Sequence, residues 1–87
     1  MNIYFTKNFK KAYKKRIEQH MKWAQQFEAR YDLFADDPTN PVLRDHALIG
    51  NIKGYRSFSV TGDIRVIYYI NEGAVYFVDI GTHNQVY

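Results

Sequence analysis

The sequence contains no cysteine, only two prolines, and no long apolar segment. Without cysteine the chain has no disulfide, no thiolate ligand for zinc and no cysteine nucleophile. No apolar run approaches the roughly 20 residues that a membrane span needs, and the first residues lack the pattern of a signal peptide. The sequence therefore predicts a cytoplasmic protein. Its 87 residues suffice for one modest core, so we expect a single domain over residues 1–87.

Apolar and aromatic residues are plentiful, and positive charge is concentrated in one segment. With 46% hydrophobic and 17% aromatic residues, the chain is too apolar to be disordered. The net charge is +3, but six cations and no anion fall within the first sixteen residues, and the remainder is net acidic. Such a segment is typical either of a surface that binds a polyanion such as RNA or of a solvated basic face. Its cations are Lys7, Lys10, Lys11, Lys14, Lys15 and Arg16.

The basic segment opens a long helical region over residues 7–37. Apolar side chains recur every three or four positions from Phe9 to Phe34, and His20 falls on the same stripe, where we expect it to pack. Thr6 is positioned to cap the start, and the prolines after Asp37 stop the helix. The region is one helix of about 30 residues or two helices with a bend near residues 16–20. Typical helix lengths favour two helices.

The remaining segments have the composition of strands. A short strand is expected at residues 3–5, and longer strands at 52–60, 64–70 and 74–80, rich in β-branched and aromatic residues. Glycine-containing turns separate the last three, which predicts an antiparallel meander covered on one face by the helical region. The fold class is therefore α+β, in the order β-α-α-β-β-β.

Two arginines lie within the predicted strands. Alternation places Arg65 on the sheet face opposite Val66, either paired with a carboxylate such as Asp63 or Asp79 or available for a ligand. Arg56 shares its face with Phe58, which leaves three interpretations. Arg56 is buried in an ion pair, a bulge turns its side chain to the other face, or it binds phosphate. The residue types alone leave each alternative open.

The sequence motif after the last strand adds His83 and Tyr87 to the arginines of the sheet. A histidine for proton transfer, a cation and a stacking surface suit RNA cleavage, in which the ribose 2′-hydroxyl attacks the adjacent phosphorus and no metal is intrinsically required. A histidine in such a position is also typical of an ordinary surface. The three histidines are scattered and cysteine is absent, so we expect neither a metal site nor a cofactor.

Four motifs together resemble the RelE/StbE family of bacterial toxins, the toxin halves of type II toxin–antitoxin pairs. They are the runs Leu-Arg-Asp-His-Ala-Leu-Ile-Gly at 43–50, Lys-Gly-Tyr-Arg-Ser-Phe at 53–58, Val-Thr-Gly-Asp-Ile-Arg-Val-Ile-Tyr at 60–68 and Ile-Gly-Thr-His-Asn-Gln-Val-Tyr at 80–87. The opening residues 3–11 are similar to the start of that family as well. The resemblance spans nearly the whole chain, and the motifs stand in the family's order.

The resemblance implies a ribosome-dependent endoribonuclease that cuts mRNA in the ribosomal A site without a metal. It also implies an antitoxin partner that silences the toxin in a hetero-oligomer. Arg65 falls where the family places a phosphate-stabilising arginine, and His46 and His83 match two histidines of the YafQ-like pattern. Asp63 matches its acidic residue, and Tyr87 its terminal aromatic residue.

The chain departs from the YafQ-like pattern at two positions. Ser59 replaces a further histidine, and Asp79 replaces an arginine. The division of acid and base between the histidines therefore stays open. So do two alternatives, a ParE-like toxin that inhibits DNA gyrase and an RNA-binding module without catalysis. In the leading interpretation RNA is also contacted by Arg56, Lys53, Lys7, Lys10, Lys11, Lys14 and Lys15.

Overall fold

The computed structural model describes all residues 1–87. Its elements are β1 (Ile3–Phe5), α1 (Lys7–Arg16), α2 (Met21–Asp36), β2 (His46–Ala47), β3 (Arg56–Ser59), β4 (Ile64–Asn71), β5 (Ala74–Thr82) and α3 (His83–Val86), with single 3₁₀ turns at Pro41–Leu43 and Gly50–Ile52. The predicted α+β class and the order of its main elements are confirmed. The sequence did not predict β2 or α3.

The strands form one five-stranded sheet in the order β1-β5-β4-β3-β2. β3, β4 and β5 are the predicted antiparallel meander, and β1 pairs with β5 in parallel. The prediction that the first meander strand begins at residue 52 is wrong. Residues 50–52 form a 3₁₀ turn, and Gly50 (φ 74°) and Gly54 (φ 97°) adopt left-handed conformations that interrupt an extended chain.

The helical region consists of two helices, which confirms the favoured alternative. Thr6 caps α1, and its Oγ1 accepts a hydrogen bond of 3.2 Å from the backbone N–H of Phe9. The chain leaves the helix at Ile17, which is fully buried. The expectation that His20 packs in the core is wrong, because the break moves it off the stripe. It is exposed and lies against Trp23, with 4.2 Å between the ring centroids.

Both helices pack on one face of the sheet. Phe34 of α2 stacks on Phe58 of β3 at 4.7 Å, and Phe9 of α1 meets Phe77 of β5 edge-on at 5.4 Å. Each buried aromatic ring stabilises the fold by about 1.5–3 kcal/mol through removal of apolar surface from water. We call this the core face. No helix is both long and apolar enough to cross a membrane.

A bulge in β5 keeps its side chains in phase with the core. Ile67 pairs with Asp79 and Tyr68 with Phe77, so Val78 is the extra residue. Phe77 and Ile80, three positions apart, can therefore both be fully buried. The opposite side of the sheet, which we call the open face, carries the candidate site.

Candidate functional site

Two serines of β3 form the floor of the site on the open face. Phe58 between them points into the core, so alternation turns Ser57 and Ser59 to the other side. In register, Ser57 lies beside His46 of β2, and Ser59 lies beside Arg65 of β4. Residues paired in this way share a face, so the sheet itself brings His46 and Arg65 to opposite ends of one short serine row.

Arg65 carries a charge that no carboxylate neutralises. Its Nη1 donates to Ser59 Oγ at 3.0 Å, and its buried Nε has no partner. The pairing with Asp63 or Asp79 that the sequence allowed is absent, since Asp79 is bound by Arg16 at 3.0 Å. A guanidinium has five N–H donors, so Arg65 retains donors and its full charge in a partly desolvated position.

The tail folds back over the floor. α3 begins with a capping box in which the Thr82 N–H donates to Gln85 Oε1 at 2.8 Å. Tyr87 then donates its hydroxyl to Ser57 Oγ at 2.8 Å, and its ring meets His83 edge-on at 4.5 Å. The tail therefore brings the predicted residues His83 and Tyr87 onto the face that carries Arg65.

Gly81 makes this packing of the tail possible. A Cβ at position 81 would lie 2.6 Å from Gln85 Oε1 and 3.0 Å from Arg16 Nη1. Gly81 is also the register partner of Arg65. The glycine of the Gly-Thr-His motif thus leaves room for α3 beside the arginine.

His46 is exposed, and its ring orientation is fixed by the chain next to it. Its Nδ1 lies 3.0 Å from the carbonyl oxygen of Arg44. Because a carbonyl only accepts, Nδ1 must carry the hydrogen, and the neutral ring keeps a free lone pair on Nε2. That nitrogen is suited to accept a proton. His46 and Tyr87 line a common cavity of about 330 Å³.

Asp63 lies in the exposed turn before β4. Asp63 directly precedes Ile64, and His83 directly follows Thr82, the register partner of Ile64. Alternation places Asp63 on the same side of the sheet as Arg65. No hydrogen bond or ion pair engages its carboxylate in the structure. Asp63 therefore sits at the border of the site, without contact to Arg65.

Arg56 lies on the core face, as alternation required, and it forms an ion pair. Its Nε and Nη2 donate to Asp45 Oδ1 at 2.8 and 2.6 Å, and the hydroxyl of Tyr68 donates to Asp45 Oδ2. Burial, reinforced by Asp45, raises the pKa of Tyr68, and the bond to Asp45 raises the pKa of Arg56. Sequence reasoning missed Asp45 and Tyr68. The motif at residues 43–50 could have suggested Asp45 as the partner of Arg56, since Asp45 directly precedes the candidate residue His46.

The five lysines of α1 form one exposed surface. They recur at three- and four-residue spacing, opposite the buried Phe9, and Arg16 differs because it binds Asp79 and the backbone oxygen of Ile80. Lys11 and Lys15 lie with Arg16 beside Val78 and Asp79, so this lysine surface borders the edge of the sheet at β5. Lys53 is exposed in the loop before β3.

No group of three or more His, Cys, Asp or Glu residues is arranged to hold a metal ion.

The whole chain, residues 1–87, matches the model of a protein family described as YafQ, the bacterial toxin of type II toxin–antitoxin systems. The chain belongs to this family. No curated protein sequence matches it. The crystal structure of YafQ from E. coli strain BL21(DE3) is similar, with 25% identity, a TM-score of 0.84, and coverage of 99% of this chain and 97% of that one.

Two further solved structures are similar to this chain. The E. coli DinJ–YafQ toxin–antitoxin complex contains a chain that is 26% identical, with a TM-score of 0.73 over 99% of this chain and 96% of that one. A YoeB/ParE toxin from Agrobacterium tumefaciens has a TM-score of 0.76 at 15% identity over 95% of this chain and 99% of that one, which shows a shared fold alone. The predicted toxin class is confirmed, and no observation favours the gyrase-directed alternative.

Proposed function

We propose that this YafQ-family toxin is an endoribonuclease that cuts mRNA in the ribosomal A site. The observation that carries the proposal is the unneutralised guanidinium of Arg65 on the face shared with His83, Tyr87 and His46. A cation without a carboxylate partner, on one sheet face with two imidazoles, matches the demands of phosphodiester transesterification.

In the proposed reaction, His46 is the general base. Its free Nε2 takes the proton of the ribose 2′-hydroxyl, whose oxygen then forms a bond to the adjacent phosphorus. Arg65 stabilises the negative charge that develops on the non-bridging oxygens of the phosphorane. Asp63, near the end of the same strand face, is a helper whose unengaged carboxylate can accept a hydrogen bond from His83 or from the RNA.

His83 is the general acid in this scheme. It donates a proton to the 5′-oxygen as the bond from phosphorus to that oxygen breaks, which leaves a 2′,3′-cyclic phosphate and a 5′-hydroxyl end. Tyr87 contacts His83 and supplies a ring on which a base stacks. Because the nucleophile is internal to the RNA, no metal is needed to activate a water molecule.

RNA outside the cleaved bond is held by positive charge in this proposal. The lysine surface of α1 contacts ribosomal RNA without sequence preference, and Lys53 and the outward part of Arg56 contact backbone phosphate. Arg56 is committed to Asp45 through Nε and Nη2, so its contribution to RNA is limited to its remaining N–H groups. The place of action is the cytoplasm, where ribosomes translate mRNA.

A cognate antitoxin is the second partner that we propose. The related E. coli YafQ was solved in complex with DinJ, and this chain covers nearly all of that toxin. An antitoxin that covers the open face would block Arg65 from RNA. Co-expression of the small protein encoded beside the toxin gene should restore growth, and continued arrest with that protein present would count against this pairing.

The test of the enzyme is to express wild-type protein and His83→Ala in cells and to map mRNA 5′ ends. Wild type should arrest growth and produce new 5′ ends within codons, and His83→Ala should produce neither. His20→Ala is the matched control, because His20 is exposed, lies against Trp23, and makes no hydrogen bond or ring contact with the tail. Growth arrest by wild type with intact transcripts would overturn the proposal.

A further inference from the structure

A polar network lies on the core face, and none of its members transfers a proton or stabilises the phosphorane in the proposed reaction. It consists of Asp45, Arg56 and Tyr68, and we call it the Asp45 network. The side chain of Asp45 is only 10% exposed and receives donors on both oxygens. The ring of Tyr68 lies edge-on at 5.1 Å from Phe34, within the apolar core. A carboxylate at such a place costs desolvation energy that apolar side chains would not incur.

The network holds the segment that carries His46. β2 has only two residues, is the edge strand of the sheet, and pairs with β3 at His46–Ser57 and Ala47–Arg56, with one further backbone bond from Leu48 N–H to the oxygen of Tyr55. So short an edge strand is weakly specified by its backbone bonds alone. Asp45, the preceding residue, supplies the additional attachment through Arg56 and Tyr68.

Alternation connects this attachment to the open face. Adjacent residues of an extended chain point to opposite sides, so Asp45 on the core face requires His46 on the open face beside Ser57. A rotation of β2 that moved His46 would have to withdraw the Asp45 carboxylate from both of its donors. The network therefore opposes the motion that would displace the imidazole.

The backbone before Asp45 is strained in a way that needs support. Arg44 has φ 51°, a left-handed conformation that costs a non-glycine residue about 1–2 kcal/mol. Its carbonyl oxygen is the acceptor for His46 Nδ1. Strain of this kind persists only where neighbouring contacts hold it. On one side these are the buried side chain of Leu43 and the bond from Arg44 N–H to the oxygen of Pro41, and on the other side they are the bonds of Asp45.

We infer that Asp45, Arg56 and Tyr68 are positioning residues that fix the location and tautomer of His46 from the far side of the sheet. The inference rests on the proposed function, in which Nε2 of His46 is the base. Arg56, which the sequence suggested as a phosphate contact, thus acts mainly through Asp45.

The test uses Tyr68→Phe, which removes one donor to Asp45 and preserves the ring, and Asp45→Asn, which removes the charge. Tyr69→Phe is the matched control, since Tyr69 stacks on Tyr76 on the open face and bonds no member of the network. Two quantities are measured for each protein, namely kcat and KM on ribosome-bound mRNA and the tautomer of His46 from the ¹⁵N chemical shifts of its ring. Thermal melting verifies that each variant is folded.

Both network variants should lower kcat by about tenfold or more with KM unchanged, because a displaced base affects the chemical step. Their His46 should change from the Nδ1–H tautomer to a mixture, whereas Tyr69→Phe leaves both quantities as in wild type. In a His46→Ala background, Tyr68→Phe should cause no further loss of rate. An unchanged His46 tautomer in folded Tyr68→Phe and Asp45→Asn would overturn the inference.

The two readouts separate this inference from the proposed function. If wild type cuts no RNA but the network variants change the tautomer of His46, the proposed reaction is wrong and the positioning role stands. If wild type cuts RNA and the variants change neither kcat nor the tautomer, the reaction stands and the network is purely structural.

Discussion

Arg56 and Arg65 occupy neighbouring strands of one sheet, and they have opposite environments. Arg56 lies on the core face and bonds Asp45 through two nitrogens. Arg65 lies on the open face, bonds only the hydroxyl of Ser59, and has no carboxylate within ion-pair distance. Two things therefore decide the role of a strand arginine, namely the sheet face on which it lies and whether a carboxylate is within reach on that face. Where both favour an ion pair the arginine stabilises the fold, and otherwise it remains available to a ligand.

The largest effect that this comparison predicts is on catalysis at Arg65. Arg65→Ala should lower kcat by about 10²–10³-fold, the usual loss when one donor to a developing anion is removed. Stability to urea should change by less than about 1 kcal/mol, because no buried charge loses its partner. A variant with near wild-type kcat would show that the free charge of Arg65 plays no part in the reaction.

Removal of Arg56 should chiefly affect stability. Arg56→Ala leaves Asp45 largely buried without its cation, and we expect the free energy of unfolding to fall by about 2 kcal/mol, discounted because Arg56 is 40% exposed. Urea unfolding measures this loss. The double variant Arg56→Met with Asp45→Leu should recover most of it. Equal stability losses for Arg56→Ala and Arg65→Ala would remove the distinction between the two sites.

The Asp45 network should also be visible at alkaline pH. Burial raises the pKa of Tyr68 above its ordinary value of 10.0, so the folded state keeps a proton that the unfolded state releases. The resulting stabilisation is fully present below pH 10 and is lost as the pH rises beyond it. Tyr68→Phe should flatten the decline in urea midpoints between pH 9 and pH 11, and a decline as steep as in wild type would contradict this assignment.

The smallest effect concerns Gly81, the register partner of Arg65. Gly81→Ala should destabilise the protein by about 1 kcal/mol, because the new Cβ would meet Gln85 and Arg16. It should also loosen the tail that carries His83. Gly62→Ala is the control, since a Cβ added at Gly62 would have no atom within 4 Å. Urea midpoints that agree for the two variants would show that the tail does not depend on this close approach.

Periodic features of the chain were predictable from the sequence. The helical stripe, the cap at Thr6 and the three meander strands follow from spacing and turn residues, and each is local. The alternation that separates Arg56 from Arg65 was predictable for the same reason. The motifs of the tail also predicted His83 and Tyr87 beside the sheet face that carries Arg65, and the bond from Tyr87 to Ser57 lies on that face.

Partner identities were not predictable, because they depend on register and on loops. Asp79 could equally have met Arg65, and it is α1 that brings Arg16 to it. Asp45 reaches Tyr68 only because a two-residue strand pairs with β3 at one register. The bond from Tyr87 to Ser57 spans 30 positions and depends on the absence of a side chain at Gly81.

The most direct test of the central claim is single-turnover cleavage of ribosome-bound mRNA by wild type, Arg65→Ala and Arg56→Ala, each corrected for its folded fraction. Wild type should cut within the A-site codon and leave a 2′,3′-cyclic phosphate. Arg65→Ala should lose about 10²-fold or more, and Arg56→Ala only about tenfold, through the displacement of His46. Intact mRNA with folded wild type, or unimpaired cleavage by Arg65→Ala, would contradict the account.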